Sequence, residues 1–398
     1  RLRPVPQSSE HRMAPLTLAP TKPVSSGEIG IIDLNRADEV DRRHQRVAEF
    51  LAASGNDALL LTQPHNFAWI TAGGEGTRPG TQDMVAALFI TPDARVVLTG
   101  SVDSGQLFDR ELHGLGFQLK ERPWTEPLAV LLEDLCRGRR VAGDSGLLMT
   151  DNVERQLVRF RTPLSRHEWP LLRRLGKSVT HAVEATARTF RQGESEAEVA
   201  GQLAHRLLKH QITPVRLQVL ADGQGHRYRH WGYGSERIER TCILSAVGRL
   251  HGLHAGVTRT VTFGQPTQAI ADTHHLATLV QTTGLFFSQV GWTVNDTWTR
   301  VARIYEKFGA PDGWRQAEQA EGIGYHIAEF PVVPGGSTRL RTGTVMHWHP
   351  SVRTAMVGDT MLVRKSGFEL LTGSDEWPEL IIDVKGARIR RPNLLIRK

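Results

Sequence analysis

Cysteine is nearly missing from this chain: Cys136 and Cys242 are the only two among 398 residues. They have neither the spacing of a metal knuckle nor that of a redox pair, so a disulfide scaffold and a thiolate metal site are excluded and a reducing cytoplasm is the expected setting. Lysine is scarce as well. Of 49 basic residues, 41 are Arg and 8 are Lys, scattered along the chain. The net charge of +7 would suit a polyanion, but no basic run with interleaved aromatics accompanies it, so no nucleic-acid partner is expected. Arginine in place of lysine suits a GC-rich bacterial genome. No apolar run approaches the ~20 residues of a membrane span, and the first residues lack the basic start and apolar middle of a signal peptide, so no membrane partner is expected. Two catalytic signatures are also absent: no G-x-S-x-G sits on a strand-to-helix turn, and no G-x-G-x-x-G follows a strand and opens a helix.

What remains is the composition of a globular protein, 39% hydrophobic and 23% charged, long enough for two domains. Residues 1–12 precede a start expected at Met13, and Pro-rich 14–27 completes a flexible extension over 1–29. Residues 30–165 read as an α/β domain. It has a helix near 38–55, strands at 57–62, 67–71, 84–91 and 94–100, and a helix at 126–138. Residues 166–398 open on two amphipathic helices, 168–192 and one ending near His210, the second started by Ser195 with Glu198 completing a capping box. A strand at 215–221, a hairpin, helices at 269–286 and 294–308, and a strand pair at 343–349 and 359–364 follow.

The hairpin organises the second half. Gly252 to Gly264, GLHAGVTRTVTFG, alternates Leu253, Ala255, Val257, Arg259 and Val261 with His254, Gly256, Thr258, Thr260 and Thr262. Cys242 to Val247 is its partner strand, and the turn falls around Arg249 to Gly252.

The T-R-T of Thr258, Arg259 and Thr260 resembles the signature of the pita-bread superfamily of methionine aminopeptidase, aminopeptidase P, prolidase and creatinase. There the pattern is D-x10-D-x-T-R-T. The resemblance implies an α/β N-terminal domain and an α+β pita-bread C-terminal domain, and its order of elements extends over roughly 166–380. HNFAWITAGG is similar to an N-domain segment that lies near the active site in creatinase and aminopeptidase P, which places Trp69 at the pocket. The same alignment puts the family's five metal-ligand positions at Ser245, Gly256, Glu321, His349 and Gly358. Only one is a carboxylate, too few for two divalent ions held by oxygens, so no metal and no cofactor are expected.

The expected function is therefore a metal-independent enzyme acting on a small amino-acid- or peptide-derived substrate, by creatinase-like C–N hydrolysis or a tailoring step in bacterial secondary metabolism. His230 matches the creatinase histidine, and Glu329 matches the glutamate of H-E-x-P; with His349 they form the expected catalytic set. His226, Arg259, Glu321, His326, His347 and Trp69 are the expected substrate contacts, and Glu329 has a salt bridge to Arg259 as its structural reading. The resemblance also implies a homodimer. Two other readings stay open at this point. One is a non-catalytic binding protein on a peptidase scaffold. The other is a metalloenzyme rebuilt around His347 and His349, which stand at i and i+2 of one strand, with His251, His254 and His326 nearby.

Overall fold

The computed structural model describes residues 33–78, 80–81, 83–223, 229–374 and 376–398; the extension over 1–29 lies outside them. The first domain opens with α1 (Leu34–Ser54), whose N-cap Asp33 accepts a hydrogen bond from the Arg36 amide and whose C-cap Gly55 is left-handed. There follow β1 (Ala58–Leu61), α2 (Pro64–Ile70), β2 (Ala86–Ile90), β3 (Arg95–Gly100), α3 (Ser104–Gln106), β4 (Gln118–Arg122), α4 (Leu128–Cys136), β5 (Val141–Gly143), β6 (Asp151–Asn152) and α5 (Glu154–Arg161). Its six strands form one mixed sheet in the order β4-β3-β2-β1-β5-β6.

Of residues 67–71, expected as a strand, 67–70 belong to α2 and Thr71 is its C-cap. Pro64 presets the first turn, and the Gln63 amide is taken by Asp144 Oδ2 at 2.9 Å. Residues 66–70 are all buried, so the helix shows no apolar stripe, and a short apolar run of that kind has no periodicity to separate it from a strand.

The second domain begins with α6 (Glu168–Thr189) and α7 (Glu196–Leu208), and the Ser195–Glu198 capping box forms as expected. Strands β7 (Thr213–Ala221), β8 (Thr241–Leu250) and β9 (Leu253–Phe263) come next, then α8 (Gln268–Phe287), α9 (Val294–Lys307), β10 (Ala320–Gly322), β11 (Phe330–Pro331), β12 (Val345–Trp348), β13 (Ser351–Val352) and β14 (Ala355–Met356). The chain closes with β15 (Asp359–Arg364), β16 (Gly367–Leu370), β17 (Glu379–Val384), β18 (Ala387–Pro392) and β19 (Leu395–Arg397).

Two sheets carry this domain, β19-β9-β8-β7 and β11-β10-β12-β15-β16, and they meet at a bridge between Thr258 and Gly358. Helices α6 and α7 pack on the first sheet, and α8 on the second with α9 beside it. The β8–β9 hairpin turns at His251 and Gly252, both with positive φ (50° and 74°), the requirement of the tightest hairpin turn. Gly252 is also where the domains touch: a Cβ there would lie 2.4 Å from the Cβ of Ala68 on α2. The apolar face of β9 is turned to α6, and Arg259 on that face is buried between Glu184 (2.9 Å) and Asp359 (3.1 Å).

Candidate functional site

The opposite face of β8 and β9 is the floor of the site. Ser245 and Thr258 face each other in register and share a hydrogen bond of 2.8 Å between hydroxyls. One row along, Gly256 pairs with Val247. Its N–H donates to Thr360 Oγ1 of the second sheet, and Thr360 Oγ1 donates back to the Gly256 carbonyl, both at 2.9 Å.

Over this floor the second sheet brings three groups together. The β10–β12–β15 register sets Glu321, His347 and Thr360 opposite one another. His349 leaves the end of β12 two residues on, its ring stacked on that of His347 with centroids 4.9 Å apart and planes 23° apart. One ligand atom each from Glu321, His347 and His349 lies within 4.8 Å of the other two, and Glu321 Oε2 is hydrogen-bonded to His349 Nε2.

The tautomer of His347 follows from its neighbour. Thr360 Oγ1 has given its only proton to the Gly256 carbonyl, so the 3.2 Å contact with His347 Nδ1 requires the imidazole to donate. That leaves Nε2 as a bare lone pair, and among the described residues it is buried without a hydrogen-bond partner. Burial first, then the neighbouring His349 and Arg216, pushes the His347 pKa well below the usual histidine range, so the ring is neutral. A neutral imidazole fixed at one nitrogen and bare at the other is a metal ligand with its outer-sphere acceptor in place.

Two imidazoles and a carboxylate converging on one point suit a single ion of the zinc or iron(II) type. Two ions held by oxygens do not fit, since Ser245, Gly256 and Gly358 supply no carboxylate. Of the other histidines expected nearby, His254 and His326 line a separate cavity of about 260 Å³ with His65 and Arg249.

The remaining expected residues are dispersed. His230 lies at the edge of the cleft beside His349 and Ser245, two-thirds exposed, with Nε2 3.1 Å from Glu318 Oε2. Glu329 is buried against Arg161 at 2.8 Å and accepts from the His326 amide at 2.9 Å; Arg259, its expected partner, is held by Glu184 and Asp359 instead. Trp69 is buried and stacks on Phe160. His226 falls outside the described residues. Sequence reasoning passed over Thr360 and two arginines lining the cleft, Arg216 and Arg229. The available signal was Arg216 itself, a charge at the second position of the mainly apolar strand VRLQVLA.

The model of Metallopeptidase family M24 matches residues 170–390. YkvY of Bacillus subtilis (strain 168) is 24% identical over 361 residues, 83% of this chain and 97% of its own. Among solved structures, dipeptidase PepE from Mycobacterium ulcerans aligns with a TM-score of 0.73 and 16% identity over 92% of this chain and 99% of its own. Prolidase from Pyrococcus horikoshii OT3 aligns with a TM-score of 0.71 and 17% identity over 84% and 99%. At these identities the structural likeness is one of fold, the two-domain pita-bread architecture. The metal-independent chemistry expected from the sequence is overturned by the family match and by the Glu321, His347 and His349 cluster. The expectation failed because it counted carboxylates at aligned positions, whereas His347 stands on β12 two residues before the aligned His349 and adds an imidazole that the count left out.

Proposed function

The chain belongs to metallopeptidase family M24, and from that premise we propose that it hydrolyses a C–N bond in a small peptide- or amino-acid-derived substrate with one divalent ion held by Glu321, His347 and His349. The observation that carries this reading is the buried, unpartnered Nε2 of His347, whose Nδ1 is committed to Thr360. An unsatisfied buried nitrogen costs about 1–3 kcal/mol, a cost that coordination removes.

When bound, such an ion polarises a carbonyl oxygen and lowers the pKa of a coordinated water. The chain's own residues do the rest. Thr360 fixes the His347 ring, and the hydrogen bond between Glu321 and His349 sets the two prospective ligands side by side before an ion takes its place. His230, at the edge of the cleft and paired with Glu318, holds a proton within reach of solvent and is the proposed group for passing it to the departing nitrogen. Peptide chemistry is the direction in which the names of dipeptidase PepE and prolidase point.

The test is zinc binding by calorimetry and elemental analysis on the full chain. We expect about one ion per chain, with affinity lowered by an order of magnitude or more in His349→Ala and in Glu321→Gln. Absence of any divalent ion after dialysis against excess zinc would sink the proposal. A homodimer is proposed too, as the family resemblance implies; light scattering at micromolar concentration giving the 44.3 kDa of one chain excludes it.

A further inference from the structure

Four buried arginines show what this fold does with a guanidinium taken out of water. Arg43 is held by Glu39 and Glu168, Arg161 by Glu154 and Glu329, Arg259 by Glu184 and Asp359, and Arg391 by Asp359, although Nε and Nη1 of Arg391 have no hydrogen-bond partner among the described residues. That is the general rule for a desolvated charge. Two arginines depart from it, and both line the cleft beside His349.

Arg216 lies on β7 in the cross-strand row Arg216, Val247, Gly256, the row over which His347 sits. Among the described residues its Nε is buried without a hydrogen-bond partner and it forms no ion pair. Arg229 donates from Nη2 to the Arg353 carbonyl at 2.9 Å, while its Nε and Nη1 are buried without partners among the described residues. The carboxylates whose field reaches Arg216 are already engaged, Glu321 by His349 and Glu318 by His230. Burial lowers the pKa of both guanidiniums.

We infer that Arg216 and Arg229 form an oxyanion subsite that receives a carboxylate of the substrate, so that the enzyme acts on acids rather than on neutral amides. Planar guanidinium forks match a carboxylate in geometry and charge. The space between Arg216, Arg229, Ser245 and His349 is about 20 Å³, little more than one water requires. One oxygen of a bound acid would fill that space. As a statement about substrate the inference rests on the proposed metal site, because only that site gives the bound acid a reaction. A divalent ion beside two guanidiniums also outweighs the two carboxylates of Glu321 and Glu318, and a bound acid reduces the excess positive charge, so acid and ion strengthen each other's binding.

The experiment is calorimetric titration of the full chain with N-acetylglycine, with its uncharged analogue N-acetylglycinamide, and with inorganic phosphate, each with zinc and after treatment with a chelator. We expect the acid to bind at least tenfold more tightly than the amide and than phosphate, and zinc to tighten it. Arg216→Gln and Arg229→Gln should each weaken acid binding by tenfold or more, with Arg216→Lys intermediate. Without ligand, Arg216→Met should melt higher than the parent, because an unpaired buried cation is removed; a purely structural Arg216 would lower it. Equal binding of acid and amide, or unchanged acid binding in the double Gln variant, overturns the subsite, and tighter phosphate binding overturns its assignment to a carboxylate. Arginine-dependent acid binding in a chain that takes up no zinc upholds the subsite and removes the metal proposal; zinc bound at Glu321, His347 and His349 with no acid preference does the reverse.

Discussion

The imidazole of His347 occupies the space that a side chain on Gly256 would need: a Cβ at Gly256 would lie 2.7 Å from its Cε1 and 2.8 Å from its Nε2. The two residues are 91 positions apart in the chain, and the glycine is what lets the ring lie against the sheet floor.

The first prediction follows from that contact. Gly256→Ala should displace the His347 ring and lower zinc affinity by about tenfold or more, at a stability cost of about 1–3 kcal/mol for overpacking. Zinc titration alongside urea unfolding separates the two effects. A folded variant with the parent's zinc affinity would show that His347 is not a ligand.

Thr360 should matter to the metal without touching it. Thr360→Val removes the acceptor that fixes His347 Nδ1, and loss of such an outer partner typically weakens metal binding by about 10–100-fold. The bonds from Thr360 to Gly256 are lost in the same variant, so its melting temperature falls as well. Thr360→Ser, which keeps the hydroxyl, should restore most of the zinc affinity.

Glu329 is expected to hold the fold rather than carry a proton. Its side chain is fully buried against Arg161, and removing one partner of such a pair costs about 3–5 kcal/mol. Glu329→Ala should therefore lower the denaturation midpoint strongly while turnover of the folded fraction changes little. A Glu329→Gln protein with normal melting and a hundredfold loss of turnover would assign it to the chemistry.

His230 gives the converse pattern. It and Glu318 are both about two-thirds exposed, so His230→Ala should change stability by no more than about 0.5 kcal/mol. If it carries a proton, turnover falls by about 10²-fold or more, while zinc affinity stays at the parent value. Unchanged turnover would remove it from the mechanism.

Stability should fall on the acid side of neutrality through two histidines. Burial depresses His274 to about 4, and depresses His254 to about 3 against an opposing hydrogen bond to the Gly324 carbonyl. Both are neutral in the folded chain, while the unfolded chain takes up protons near the ordinary 6.5. Their contribution is therefore fully present above that pH and is lost as pH drops toward 4 and 3. The loss is on the order of a few kcal/mol for each. Urea midpoints should decline below pH 6.5, and His274→Gln should flatten the decline; an unaltered slope would mean that its ring is charged in the folded state.

The sequence alone determined the fold and half of the site. Periodicity set most of the helices and strands, the turn chemistry of His251 and Gly252 set the hairpin, and the T-R-T carried the superfamily resemblance, because each is encoded within a few residues. The pairing of His347 with His349 was legible for the same reason, since alternate residues of a strand share a face. Tertiary structure decided the rest. Strand register brought Glu321 to those histidines across 26 and 28 positions, and Gly256 supplied the space by lacking a side chain. Glu329 met Arg161 rather than Arg259, because a buried charge takes whichever opposite charge the packing delivers. Arg216 and Arg229 were left without a carboxylate partner among the described residues in the same way, a property visible only when the neighbours are in place, since an unmet charge has no local signature in the chain.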